Sequence, residues 1–315
     1  MQFPAVLGHE AIGEVVELGE GVADFEIGDH VIPFLMPDCG ECVFCKSGRT
    51  NSCVELLNRH YPSVPRFTLN GAPINVMAGL GTFAEQIVVP VDMLAKVQKG
   101  LRADHACCIG CGVTTGLGAA LLVAKVTPNS SVAVFGAGGV GLSVIQGARL
   151  AGATRIIAVD TNSSKEKVAR EFGATDFVDA SKSENVVGEI FAMTGFGVDF
   201  AFECVGIPAL AVQALESTNP AWGLAINVGI MPDGSEFTVK PMSLQGGRRW
   251  GGTAMGGAKL KDVAHFVDLY QAGEIKLDEL ISHHLKHSDI NRGFDMMRSG
   301  ESVRSVIMYD DEDRT

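Results

Sequence analysis

Several things are missing from this chain of 315 residues, and each absence narrows its class. It has no uninterrupted apolar run of about 18 residues, the length a membrane-crossing helix needs, so no membrane partner is expected. Its first residues lack a basic stretch followed by an apolar run and a small-residue cleavage site, so no export signal is read there. Positive charge is in deficit: 25 Lys and Arg face 37 Asp and Glu, giving a formal net charge of −12. Such a balance disfavours nucleic acid and anionic membrane as partners. No internal repeat and no long low-complexity linker occurs. A cytoplasmic location is expected, where thiols stay reduced, so the eight cysteines read as metal ligands or free thiols and not as disulfides.

Apolar residues make up 46% and there are 38 glycines, enough for sizeable cores joined by tight turns. The length suits one large or two ordinary domains. Residues 1 to about 112 carry short Val- and Ile-rich runs, such as 13–18 and 29–33, punctuated by Gly and Pro. That texture predicts a β-rich domain. From about 113 to 254, strand-like runs (131–135, 155–159, 198–202, 223–228) alternate with helix-like ones (140–150, 165–172, 210–215). The alternation predicts a doubly wound parallel sheet, an α/β Rossmann arrangement. The remainder predicts helices over 262–272 and 291–298, the second capped by Ser288 or Asp289, and a closing strand over 303–309.

The cofactor signal lies in Gly136-Ala137-Gly138-Gly139-Val140-Gly141. It holds G-x-G-x-x-G after a strand and before a helix, and the next strand ends in Asp160, about 20 residues further on. Gly136 permits the turn, Gly138 lets backbone approach a pyrophosphate, and Gly141 lets helix and strand pack. Asp160 is placed to accept from ribose hydroxyls and to repel a 2′-phosphate, which favours NAD over NADP. Lys165 is either a further cofactor contact or a solvated helix residue, and Val228 closes the 223–228 strand as another candidate contact.

Cys39, Cys42, Cys45 and Cys53 put four thiols in fifteen residues. Four thiolates close a tetrahedron around zinc and leave no open position, which predicts a structural site. Disulfides or an iron–sulfur cluster are the alternatives for such spacing. A sparser set, Cys107, Cys108 and Cys111, lies where the β-rich part gives way to the α/β part. Beside Glu10, His9 in the turn Gly8-His9-Glu10 reads as the imidazole partner of a thiolate from this set on a second metal ion.

With these motifs in place, the chain resembles the zinc-dependent medium-chain alcohol dehydrogenases. The likeness is greatest to the branch of liver-type alcohol dehydrogenase and glutathione-dependent formaldehyde dehydrogenase. It rests on Gly8-His9-Glu10, the four-cysteine run, residues 110–116 (GCGVTTG), the glycine loop, residues 202–206 (FECVG) and residues 299–304 (SGESVR). The resemblance implies a GroES-like catalytic domain of residues 1–112 and 255–315 around a Rossmann domain of residues 113–254. It implies a catalytic zinc on His9 and Cys111 with Glu10 as a nearby or transient ligand, Thr115 close to the nicotinamide, and Arg304 near the pyrophosphate. It implies reversible oxidation of an alcohol to an aldehyde or ketone with NAD, and pairing into a homodimer or homotetramer through an edge strand near 224–231. In the family a further cysteine ligand precedes the Gly-His-Glu turn. The expectation is therefore an N-terminally shortened catalytic domain with an under-liganded zinc. Two alternatives stand beside this reading. One is oxidation of a thiol adduct of formaldehyde, for which Leu57 stands about where the family's signature arginine belongs, with Arg59 two residues on. The other is an NAD-binding protein without catalysis.

Overall fold

Residues 3–55 and 67–309 are described by the computed structural model, and their contacts sort into two units. One comprises Met1–Cys111 with Ala258–Thr315, the other Gly112–Gly257.

The first unit opens with β1 (Ala5–Val6), β2 (Gly13–Glu14), β3 (His30–Pro33), helix α1 (Val43–Ser47), β4 (Phe67–Leu69), β5 (Ala72–Val76), β6 (Leu94–Val97) and helix α2 (Ala103–Ala106). The strands pair as β2-β3-β6 and as β1-β5-β4. Pairing over the predicted 13–18 strand stops early: the Val15 N–H donates to the Asp29 carbonyl at 2.9 Å and the Gly28 N–H to the Val15 carbonyl at 2.8 Å, and Gly28, at φ 87°, stands where the paired segment ends. Ile32, Phe34, Leu80 and Met93 are fully buried beneath these sheets.

The second unit is built of α3 (Gly112–Gly118), β7 (Ser131–Phe135), α4 (Gly139–Leu150), β8 (Arg155–Asp160), α5 (Glu166–Phe172), β9 (Asp176–Asp179), α6 (Val186–Thr194), β10 (Phe200–Glu203), α7 (Pro208–Ser217), β11 (Leu224–Asn227), α8 (Met242–Gln245) and β12 (Arg249–Gly252). Among the described residues its six strands form one sheet in the order β12-β11-β10-β7-β8-β9, every pair parallel. Helices cover both faces, so the strands are buried on both sides and read as continuous apolar runs. Ala133, Phe135, Ile157, Val159, Val178, Ala201 and Ala225 share one core. The strand order reverses between β7 and β10, the position where such sheets bind ligands beyond their carboxyl ends.

This sheet corrects one expectation. The run 224–231 is not an edge: β11 is covered by β12, with Leu224 opposite Arg249 and Asn227 opposite Gly252. The edge escaped the pattern because Arg-Trp-Gly-Gly lacks the β-branched residues that mark a strand.

The chain returns to the first unit with α9 (Leu260–Gln271), β13 (Ile281–Lys286), α10 (Ile290–Ser299) and β14 (Arg304–Met308), the two strands pairing in parallel. Asp289 precedes α10 as expected, but its side chain makes no cap hydrogen bond, and Ser288 lies inside a 3-10 turn. No single helix among the described residues is long and apolar enough to cross a membrane.

Candidate active site and metal centres

The four-cysteine loop folds around its own sulfurs. Cys42 caps α1 by accepting from the Cys45 N–H at 3.4 Å, and the Cys42 N–H donates to Cys39 Sγ at 3.3 Å. Gly48 ends the helix in the left-handed region at φ 65°, where glycine is favoured. All four sulfurs lie within 4.8 Å of one another. Cys39 and Cys45 are 3.9 Å apart, and Cys42 and Cys53 are 4.0 Å apart. Disulfides are excluded, since bonded sulfurs sit about 2.0 Å apart. A tetrahedral zinc with bonds of about 2.3 Å needs sulfurs about 3.8 Å apart, so the donor set fits the ion. The Cys45 N–H pulls the Cys42 thiol down to about 6, whereas burial and the neighbouring Cys42 push Cys45 up to about 12. A bound cation favours the thiolate form of its cysteine ligands. The loop is tied to the rest of its unit by the Asp38–Lys259 ion pair at 3.3 Å and by the buried Asn51, whose amide donates to the Ala258 carbonyl at 3.1 Å.

A second donor set comes from positions 102 residues apart: His9 Nε2 lies 3.0 Å from Cys111 Sγ. Backbone geometry brings each residue there. Gly8 stands at φ 88°, and a Cβ on it would meet Thr82 Oγ1 at 2.6 Å. The Thr82 N–H donates to the Gly8 carbonyl at 3.0 Å, and Thr82 Oγ1 donates to the Glu10 carbonyl at 3.1 Å. These bonds clamp 8–10 onto the 82–83 segment. On the other side, Gly110 presses against β3, where a Cβ would lie 2.9 Å from the Pro33 carbonyl oxygen. Burial lowers the His9 pKa, opposed by Glu10 and aided by Arg304, so the imidazole offers a lone pair. The Glu10 carboxylate faces Arg304 at 3.6 Å, and that guanidinium is held charged chiefly by Glu10. Nitrogen and sulfur donors suit zinc. Among the described residues, no third His, Cys, Asp or Glu ligand atom joins this pair within 4.8 Å. Cys108 is buried, and the Cys107 thiol, 4.0 Å from it, is pushed well up by that neighbour and by burial, which keeps it protonated.

The glycine loop joins β7 to α4. Gly136 requires its freedom, at φ 98°, and a Cβ on Gly141 would collide with the Gly136 carbonyl oxygen at 1.8 Å. Gly138 differs: its φ is −90° and a Cβ there would meet nothing within 4 Å. The fold itself therefore does not demand glycine at 138; the open space suits a ligand that approaches the backbone. Gly139 and Val140 begin α4, whose first N–H groups have no intrahelical acceptor and favour an anion. Asp160 ends β8 and accepts from the Ala137 N–H at 2.8 Å and from Lys165 Nζ at 3.0 Å. Lys165 is thus engaged by Asp160. Val228, just beyond β11, is buried and donates its N–H to the Glu203 carbonyl at 2.8 Å. Thr115 is buried in α3, its hydroxyl 3.6 Å from Met255 Sδ.

The sequence pattern described as zinc-binding dehydrogenase matches residues 139–271, and that described as alcohol dehydrogenase GroES-like domain matches residues 1–99. The S-(hydroxymethyl)glutathione dehydrogenase of Synechocystis is 44% identical over 314 residues, covering 98% of this chain and 85% of that protein. The chain belongs to the zinc-dependent medium-chain alcohol dehydrogenase family. Crystallised benzyl alcohol dehydrogenase from Acinetobacter calcoaceticus superposes with a TM-score of 0.89 at 30% identity, over 98% of this chain and 85% of that one. An alcohol dehydrogenase from Thermus follows with a TM-score of 0.80 at 28% identity, over 97% and 85%. Zinc-dependent alcohol dehydrogenase chemistry, with NAD and zinc as cofactors and a small alcohol or aldehyde as substrate, comes with that membership.

In this chain one supporting residue escaped sequence reasoning as more than part of a motif. Glu203 is fully buried at the end of β10, and its Oε1 accepts from the N–H groups of Val205 at 2.8 Å, Gly206 at 2.7 Å and Ile207 at 3.3 Å. It shapes the turn entering α7, which also packs on the cofactor loop: a Cβ on Gly136 would touch Val205 at 2.5 Å. The available signal was an acidic residue at the end of a wholly apolar strand. Leu57 and Arg59, weighed for thiol-adduct recognition, lie outside the described residues.

Proposed function

We propose that the protein oxidises an alcohol at a zinc site containing His9 and Cys111, with NAD seated on the Gly136–Gly141 loop. The observation that carries this reading is the 3.0 Å approach of His9 Nε2 to Cys111 Sγ. The two side chains share a hydrogen bond at this distance, and a nitrogen and a sulfur donor brought so close need little movement to bind one zinc ion. When bound, zinc supplies Lewis acidity toward the substrate oxygen and NAD supplies the hydride acceptor.

The remaining work belongs to the chain. Burial keeps the His9 imidazole neutral. Glu10 and Arg304 balance each other's charge beside it, with Arg304 available to a cofactor phosphate. Thr115 offers a buried hydroxyl for the nicotinamide end, and Val228 an apolar contact. Gly138 leaves space for the pyrophosphate, and the N-terminus of α4 attracts its charge. Asp160, with Lys165 steadying it, selects ribose hydroxyls over a 2′-phosphate and so NAD over NADP. Cys39, Cys42, Cys45 and Cys53 hold a second, structural zinc. The GroES-like catalytic part corresponds to the first unit and the NAD-binding part to the second. Copies of the chain pair in the cytoplasm through β12, an outer strand of the sheet among the described residues, giving a dimer or tetramer.

A second reading concerns the substrate. The 44% identity to S-(hydroxymethyl)glutathione dehydrogenases favours a thiol adduct of formaldehyde over a simple alcohol. Steady-state rates with NAD and benzyl alcohol, against formaldehyde plus glutathione, separate the two. His9→Ala and Cys111→Ser are each expected to lower kcat/KM about 10³-fold for whichever activity is found. Wild-type turnover in either variant would sink the proposed site.

A further inference from the structure

The first unit contains another constellation of metal-type ligands, separate from both zinc sites. Asp104 and His105 lie on α2, and His284 lies on β13. Asp104 Oδ2 is 3.0 Å from His284 Nε2 and 3.4 Å from His105 Nε2, and the three ligand atoms lie within 4.8 Å of one another. Metal bonds of about 2.0–2.1 Å in a tetrahedral site place nitrogen and oxygen ligands about 3.3 Å apart. The spacing therefore suits an ion with no large rearrangement.

An independent feature points the same way. His105 is buried, 3% exposed, and its other nitrogen is committed: Nδ1 lies 2.7 Å from Asp278 Oδ1. Asp278 is in turn fixed by the Tyr270 hydroxyl, which donates to the same oxygen at 2.9 Å. Metal-bound histidines are habitually oriented by a carboxylate on the far nitrogen, which sets the tautomer and leaves the near nitrogen as a lone pair. His105 has that arrangement, and its near nitrogen looks toward Asp104 and His284. The half-exposed His284 leaves the remaining coordination positions open to water.

Arg102 is the competing feature. Its guanidinium makes a two-pronged contact with Asp104, Nη2 to Oδ2 at 2.8 Å and Nε to Oδ1 at 3.3 Å, and lies 3.8 Å from Asp278. With its side chain 59% exposed, Arg102 occupies the place of a cation from the solvent side and is free to swing away.

We propose that Asp104, His105 and His284 form an additional divalent-cation site, with Asp278 and Tyr270 orienting His105 and with Arg102 as its resident competitor. Two imidazoles and one carboxylate select a borderline ion such as zinc, nickel or cobalt over magnesium or calcium.

The test is calorimetric titration with nickel chloride of tag-free protein dialysed until only its tightly held zinc remains. A nickel site is expected in the wild type. His284→Ala should weaken it by at least about tenfold, and Asp278→Asn by about 10–100-fold, as for other partners of metal-bound histidine. Arg102→Gln, which removes the competing charge, should tighten it, and His283→Ala, one residue along the same strand, should leave it unchanged. A pure ion-pair network predicts the opposite for Arg102→Gln, namely no gain in nickel binding. The proposal is overturned if wild type and Arg102→Gln bind no more nickel than His284→Ala.

Discussion

The four-thiol lobe and the His9–Cys111 pair are both metal-donor sets in the same unit, yet they are assembled in different ways. The lobe is local: its sulfurs come from fifteen residues and its own N–H groups aim them. The pair joins positions 102 residues apart and relies on Gly8, Thr82 and Gly110 for its approach. A local site carries its geometry with it and stabilises the loop that makes it. A long-range site borrows its geometry from the fold, so it is free to keep coordination positions for chemistry.

The largest test of this contrast removes a lobe thiol. Cys45→Ser should lose one tightly held zinc per chain by elemental analysis and lower the melting temperature, since structural zinc contributes about 10–16 kcal/mol of apparent binding energy in zinc-finger peptides. Retention of that zinc would show that the lobe is not its ligand set. His9→Ala should do the reverse: kcat/KM falls about 10³-fold, the equivalent of several kcal/mol, while lobe zinc and melting temperature stay at wild-type levels. A parallel loss of lobe zinc would erase the distinction between the two sites.

A smaller effect is expected in the glycine loop, where the same contrast between fold and ligand recurs within one motif. Gly138→Ala should leave unfolding within about 0.5 kcal/mol of wild type, but raise the KM for NAD about tenfold. Gly141→Ala should instead destabilise the protein by about 1–3 kcal/mol, because its Cβ has nowhere to go. Equal destabilisation by both would mean that Gly138 serves the fold alone.

The smallest effect concerns the scaffold at the amino ends of the sheet. Burial would push Asp199 up, but hydrogen bonds from Trp222 Nε1 at 2.7 Å and from the Ser131 N–H and hydroxyl prevail and hold its pKa below the ordinary value. A depressed folded-state pKa adds stability above the unfolded value and loses it as pH falls through the folded value. Asp199→Asn should therefore melt below wild type near neutrality, and the gap should close below about pH 4. A gap that is constant with pH would rule out the ionised carboxylate as its source.

Much of the second unit was legible because its rules are short-range. Apolar runs buried on both faces announce β7, β8, β10 and β11, and the spacing from Gly136 to Asp160 fixes one strand–helix–strand unit. What escaped was α6 and the two outer strands: β9, where only Phe177 and Val178 stand between acidic residues, and β12, whose Arg-Trp-Gly-Gly pairs through backbone groups that leave no side-chain pattern. The cysteine lobe was legible for the same local reason. In the first unit, strands of two to six residues gave the β-rich texture, but not where each strand ended.

The site divided along the same line. Residue types and spacing were enough to mark the glycine loop and the four thiols, because each motif's chemistry lies in a few neighbouring residues, whereas the pairing of His9 with Cys111 came from the family resemblance. That His9 meets Cys111, that Arg304 answers Glu10 and that Lys165 is engaged by Asp160 are matters of tertiary structure. So is the gathering of Asp104, His105 and His284 from separate segments. Neighbours in sequence are constrained by backbone geometry over a few ångströms, whereas residues distant along the chain meet only where glycine contacts, strand register and buried side chains leave them a single place.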